Sequence, residues 1–174
     1  MTPEASPEQL SNQVIDISRV GKVTRGGKRL RFRVVVVVGD EAGHVGVGSG
    51  KSVEIPQAIQ QAIRDAAKHM VEVPMVGGTI PHEVVGELKA ARVLLKPAYP
   101  GTGVIAGRTV GAVCRLAGIR DILTKALGST NPLNLARATV DGLCQLETVE
   151  AVAARRGKAV EDIVEVEGAQ AQRS

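Results

Sequence analysis

Residues 19–38 read Arg-Val-Gly-Lys-Val-Thr-Arg-Gly-Gly-Lys-Arg-Leu-Arg-Phe-Arg followed by five consecutive valines, Val34–Val38. The alternation from Val14 to Val20 predicts a strand, Gly26-Gly27 a turn, and the β-branched run Arg29–Val38 a second strand. A hairpin follows. Side chains alternate across a strand, so Leu30, Phe32 and Val34 share one face while Arg29, Arg31 and Arg33 share the other. One face is expected to meet a core and the other to be cationic. The fifteen residues Arg19–Arg33 hold seven basic side chains and no acid, a local charge above the whole chain's +4. A polyanion is the partner such a stretch calls for, since seven unpaired cations repel one another.

Working toward the C-terminus, Gly39–Gly43 predicts a turn into a glycine-thinned third strand, His44–Gly48. Glu54-Ile55-Pro56 opens a helix with proline in its first turn, and Ile59, Ile63, Ala66, Ala67 and Met70 form its apolar stripe. Arg64 and Lys68, four residues apart, occupy another face of that helix. Three strands and a covering helix make a first unit, residues 14–77, with the linker at Pro74 and Gly77-Gly78. The second unit, residues 78–166, opens with apolar segments Ile80–Val85 and Ala91–Ala98 on either side of Gly86-Glu87, predicting another hairpin. A glycine-rich turn at Gly101-Thr102-Gly103 then leads to a helix near Ala106–Leu116 and a short strand at Ile122–Ala126. Gly128–Pro132 supplies a turn, a capping side chain and a first-turn proline for a long helix whose stripe is Leu133, Ala136, Val140, Leu143 and Cys144. Val149–Arg156 and Ala159–Val166 read as two short helical pieces around Gly157. Residues 1–13 and 167–174 read as mobile tails. The fold class expected is α+β.

Composition narrows the function. With 174 residues, 44% of them apolar and 23% charged, the chain is an ordinary globular one. The longest apolar run is far below the roughly 20 residues a membrane span needs, and no basic-then-apolar leader opens the chain, so a soluble cytosolic protein is expected. Cys114 and Cys144 are expected to be reduced, partly buried thiols. His44, His69 and His82 fall in three different elements without a nucleophile or a cysteine pair, so no metal site, catalytic triad or cofactor is expected.

Two motifs imitate nucleotide loops. Gly48-Ser49-Gly50-Lys51-Ser52 resembles a phosphate-cradling loop, but the pattern requires glycine where Val45 stands. Its milder reading places Lys51 at a helix N-terminus, facing a nucleic-acid phosphate. Gly101–Ala106 fits a dinucleotide fingerprint in letters, with Asp121 near the place of a ribose-binding acid, yet Tyr99-Pro100 separates it from its strand. A packing turn is the better reading. Phe32 and Tyr99 are the only aromatics, so base stacking is excluded as the binding mode, leaving lysine and arginine on the backbone of structured RNA.

Four runs carry a resemblance: Arg19–Lys28; Val37-Val38-Gly39-Asp40 with Val45–Lys51; Gly101–Gly107; and Gly128–Asn134. Together, over residues 14–166, they resemble the bacterial family of small-subunit ribosomal protein five. The resemblance implies an N-terminal domain similar to a double-stranded-RNA-binding fold without a full first helix. An α/β C-terminal domain with a left-handed crossover should follow. It implies a non-enzymatic structural constituent of the 30S subunit that binds 16S rRNA and supports assembly and translational fidelity. Such a protein would line the path by which mRNA enters. By resemblance, Val20, Gly21 and Lys22 match a loop associated with spectinomycin resistance. The segment Gly103–Gly111, with Arg108, would meet ribosomal proteins four and eight.

The RNA contacts expected are Arg19, Lys22, Arg25, Lys28, Arg29 and Arg31, with Lys51, Arg64 and Lys68 secondary. Neutralising about five phosphates would give a log–log salt slope of roughly −4. Two other readings stand beside this one: a nucleotide-dependent enzyme using Gly50-Lys51-Ser52, and a free regulator of double-stranded RNA.

Overall fold

Strands β1 (Ser11–Thr24) and β2 (Gly27–Gly39) form a long antiparallel hairpin, closed by Arg25-Gly26, in the computed structural model, which describes residues 10–160. β3 (His44–Ser52) pairs antiparallel with β2, and β4 (Val71–Glu72) touches β3 only at His44 and Val45, giving the order β1-β2-β3-β4. α1 (Ile55–Lys68) follows β3 with Pro56 in its first turn. A second sheet holds β5 (Val84–Leu88), β6 (Ala91–Pro97), β7 (Val104–Ile105) and β8 (Ile122–Ala126) in the order β5-β6-β8-β7. β7 and β8 run parallel, joined by the crossover helix α2 (Arg108–Leu116). α3 (Pro132–Cys144) and α4 (Val149–Arg156) complete the α+β architecture.

The hairpin begins earlier than its sequence suggested. Ser11, Asn12 and Gln13, read as tail, pair with Gly39, Val38 and Val37, because the far end of β2 leaves main-chain groups that a neighbouring strand satisfies. Val14 pairs with Val36 but Asp16 with Val35, so Ile15 is the extra residue of a β-bulge, and it is buried.

Val34–Val38 are all fully buried, which alternation alone does not predict. Val34, Val36 and Val38 lie against α1, whereas Val35 and Val37, with Ile15, Val45 and Val47, join a larger core with Val93, Leu95, Val113, Ile122 and Leu143 of the second unit. A strand covered on both faces needs no polar side, hence the unbroken valine run. The cationic face therefore holds only for the outer half of the hairpin, and there the opposite face, expected to meet a core, is exposed at Ile17, Val23 and Leu30.

α1 buries Ala58, Ala62 and Ala66, with Ile59 and Ile63 flanking, rather than the bulkier stripe the sequence suggested. The reason lies on β3. A Cβ on Gly46, Gly48 or Gly50 would stand 2.3, 2.2 or 2.1 Å from the carbonyl oxygens of Ala66, Ala62 and Ala58 respectively. Two strand residues advance about 6.6 Å and four helical residues about 6 Å, so glycines two apart meet alanines four apart.

In the second unit the hairpin turn is Lys89-Ala90, not Gly86-Glu87; Gly86 lies within β5, where a Cβ would meet Ala138 O at 2.0 Å. α3 is capped by Asn131, whose side chain accepts from Asn134 N, and starts at Pro132, as expected. Its buried face is Leu135, Ala136, Ala138, Thr139, Gly142 and Leu143; Leu133 and Val140 are half-buried and Cys144 is exposed, so the true face is rotated from the predicted stripe. α4 ends at Gly157 in the left-handed conformation (φ 62°), and the helical piece predicted at 159–166 lies almost wholly outside the described residues. Among the described residues no helix is long and apolar enough to cross a membrane.

Candidate nucleic-acid interface

Register decides which cations stand together. Lys22 pairs with Arg29, Val20 with Arg31 and Ser18 with Arg33, while Arg33 pairs on its other side with Lys51 of β3. Directly paired residues share a sheet face, so Lys22, Arg29, Arg31, Arg33 and Lys51 form one cationic surface. Its rows are about 6.6 Å apart along the strands and its columns about 5 Å across them. Arg19 and Lys28 fall on the opposite face among Ile17, Val23, Leu30 and Phe32, and Arg25 sits at the tip.

Among the described residues these side chains have no carboxylate partners. The ion pairs among the described residues join Asp40 to His44, Asp65 to His69, Glu87 to Arg92, Glu83 to Lys96 and Glu147 to Arg155, and none involves residues 19–33. Like charges on neighbouring positions of one face repel, and no ion pair among the described residues offsets this. Exposed from Gly27 to Arg31, the outer half of β2 leaves the surface open to a partner.

Arg33 was placed on the cationic face by its parity but not among the RNA contacts. It is half-buried at the root of that face, and its Nε and the Oγ of Ser18 are enclosed without a hydrogen-bond partner. Its signal was the charge alternation itself. Val20, Gly21 and Lys22, expected as a loop, lie within β1; a Cβ on Gly21 would stand 3.1 Å from Leu30 Cδ2.

Lys51 belongs to β3 rather than to a helix N-terminus, since α1 begins at Ile55. Its backbone N–H donates to Gln61 Oε1 at 3.0 Å and that of Ser49 to Asp65 Oδ2 at 2.9 Å, so the apparent phosphate loop is a strand edge capped by α1. Arg64 and Lys68 are exposed on α1, which covers the other side of the sheet, and do not join the hairpin surface.

The dinucleotide-like run is likewise closed internally: Gly103 N donates to Asp121 Oδ1 at 2.8 Å, and Gly103 takes φ 77°, a left-handed conformation that favours glycine. Gly111 is buried in α2, where a Cβ would lie 3.3 Å from Arg115 Nη1. Arg108 Nη2 donates to the Ile15 carbonyl at the β1 bulge, so this side chain ties α2 to the first sheet of its own chain. Cys114 is buried, and desolvation pushes its thiol up to about 12. His44 Nδ1 lies 2.6 Å from Asp40 Oδ2. Burial raises the Asp40 carboxyl, but hydrogen bonds from the amides of Ala42 and His44 and from the imidazole hold it below its ordinary value. Both groups lock the β2–β3 turn and offer no open chemistry.

Two family models match this chain: "Ribosomal protein S5, N-terminal domain" over residues 10–74, and "Ribosomal protein S5, C-terminal domain" over 86–156. Among curated relatives, the small ribosomal subunit protein uS5 of Thermotoga neapolitana is 58% identical over 160 residues, covering 92% of this chain and 90% of that protein. Its counterpart in Thermotoga maritima is 56% identical over 160 residues with the same coverage.

Proposed function

Because this chain belongs to the ribosomal protein S5 family, we infer that it is a structural, non-enzymatic constituent of the small ribosomal subunit in the cytoplasm, bound to ribosomal RNA. The observation that supports a specific RNA surface is the cationic face Lys22, Arg29, Arg31, Arg33 and Lys51, which has no ion-pair partner among the described residues. Phosphates of folded 16S rRNA lie against it. Arg19 and Lys28, on the reverse face, and Arg25, at the tip, reach a second strand of the same RNA, so the hairpin is a two-sided wedge. In keeping with the family resemblance, the second unit meets ribosomal proteins four and eight. Through its place beside the mRNA path the protein supports decoding fidelity.

The test compares faces. Lys22→Ala/Arg29→Ala/Arg31→Ala removes three phosphate contacts from one face and should flatten the log affinity–log salt slope for 16S rRNA by about 2 to 3. Arg19→Ala/Lys28→Ala should flatten it by about 1 to 2. Unchanged slopes in both would defeat the reading. A nucleotide-dependent enzyme loses its basis because the Lys51 amide, which a phosphate loop would present to its ligand, is bonded to Gln61. A free regulator of double-stranded RNA is distinguished by sedimentation of a lysate, since a ribosomal constituent travels with the 30S particle.

A further inference from the structure

We propose that Lys51, Gln61 and Arg64 form a phosphate seat on the outer edge of β3, a contact for an RNA phosphodiester separate from the hairpin. This rests on the reading that the chain binds RNA. β4 covers the β3 edge only at His44 and Val45, and beyond them α1 takes over through Asp65 and Gln61. A backbone N–H can meet only an acceptor, so the Gln61 atom bonded to Lys51 N is its carbonyl oxygen, and the two amide protons of Gln61 remain free.

Gln61 lines a hollow of about 360 Å³ with Lys51, Ser52, Gln57, Gln60 and Arg64. Two acceptors in and beside it are engaged: Gln57 Oε1 takes the Ser52 hydroxyl at 3.1 Å, and Oε2 of Glu54, next to the hollow, takes Gln57 Nε2 at 2.9 Å. Asp65, the other acid nearby, is committed to Ser49 N and faces His69. Neither Lys51 nor Arg64 has an ion-pair partner among the described residues. Two cations and a free amide donor, against one adjacent carboxylate that is bonded to Gln57, make a receptor for an oxyanion. The hollow is wide enough for a phosphate with its sugar. A phosphodiester and a free nucleoside monophosphate share this chemistry. RNA is favoured because Lys51 is the cross-strand neighbour of Arg33, so a backbone lying on the cationic face continues round the sheet edge to Gln61.

The experiment uses the full chain. In 15N-resolved NMR, hexauridylate should shift the Gln61 side-chain NH2 and the Lys51 amide, whereas uridine monophosphate or inorganic phosphate at equal phosphate concentration should not. Gln61→Glu keeps an acceptor for Lys51 N while replacing the free donor by a negative oxygen; it should weaken 16S rRNA binding about tenfold with an unchanged melting temperature. Arg64→Gln, at an exposed position, should weaken it about threefold and flatten the salt slope by about 1. Equal saturation by uridine monophosphate, or folded variants that both bind RNA within twofold of wild type, would overturn the seat. Should those two be silent while Lys22→Ala/Arg29→Ala/Arg31→Ala abolishes binding, the seat fails and the hairpin reading stands; the reverse pattern supports the seat and sinks the hairpin.

Discussion

Gly48→Ala isolates the contact that holds α1 on the first sheet. The new Cβ would stand 2.2 Å from Ala62 O, 2.3 Å from Ala66 N and 2.8 Å from Ala66 Cα, where ordinary contact begins at 3.4 Å. All three are main-chain atoms, so no rotamer change relieves the clash. Restoring contact requires α1 to retreat by about 1 Å, the difference between 3.4 and 2.2 Å. That movement separates Ala58, Ala62 and Ala66 from Val34, Val36 and Val38 along the whole small core. Overpacking of a dense core costs about 1–3 kcal/mol, and a rigid main-chain clash belongs at the upper end, about 3 kcal/mol. For a chain of this size that is a fall in Tm of about 6–12 °C. Urea unfolding followed by far-ultraviolet circular dichroism measures it. Gly26→Ala, at a hairpin-tip position where a Cβ meets nothing within 4 Å, is the control and should stay within about 0.5 kcal/mol of wild type. Equal stability of the two variants would refute the argument that Gly46, Gly48 and Gly50 exist for helix approach.

Three further outcomes follow from the same geometry. Asp40→Ala should cost about 1–2 kcal/mol at pH 7. Because the folded carboxyl is held below its ordinary value, that stability is present above about pH 4 and lost as pH falls toward the folded pKa, so wild type and variant should converge in acid unfolding. With 5,5′-dithiobis(2-nitrobenzoate) at pH 8, the native chain should titrate about one thiol, exposed Cys144, and a second only on unfolding, because Cys114 is buried with its thiol pushed up to about 12. Arg108→Ala should leave the Ile15 carbonyl without its guanidinium partner, costing about 1–2 kcal/mol and speeding amide exchange in β1 around the bulge.

Much of the local structure was legible. Pro56 and Pro132 marked helix starts, Asn131 a cap, and the glycine pair the hairpin tip to within one residue, the turn being Arg25-Gly26 with Gly27 already in β2, because each acts through neighbours within four residues. The cationic run was legible as well, down to the parity of Arg29, Arg31 and Arg33. Errors arose where a second layer intervened. Gly86 resembled a turn residue and proved to be a place where α3 approaches a strand. The Leu133–Cys144 stripe had the right period and the wrong phase, since phase depends on what the helix lies against. Gly48-Ser49-Gly50-Lys51-Ser52 carried the letters of a phosphate loop because helix approach and phosphate approach both demand a missing Cβ.

From the order of residues alone came the strand and helix content, the concentration of positive charge before Val34, and the family to which the chain belongs. Tertiary structure alone decided that Lys22 and Lys51 complete the face begun by Arg29, Arg31 and Arg33, that Val34–Val38 are buried on both sides, and that Gln61 caps a strand edge. Periodicity is a property of near neighbours, whereas register and layering are settled by contacts between residues far apart in the chain, where close packing permits only one arrangement.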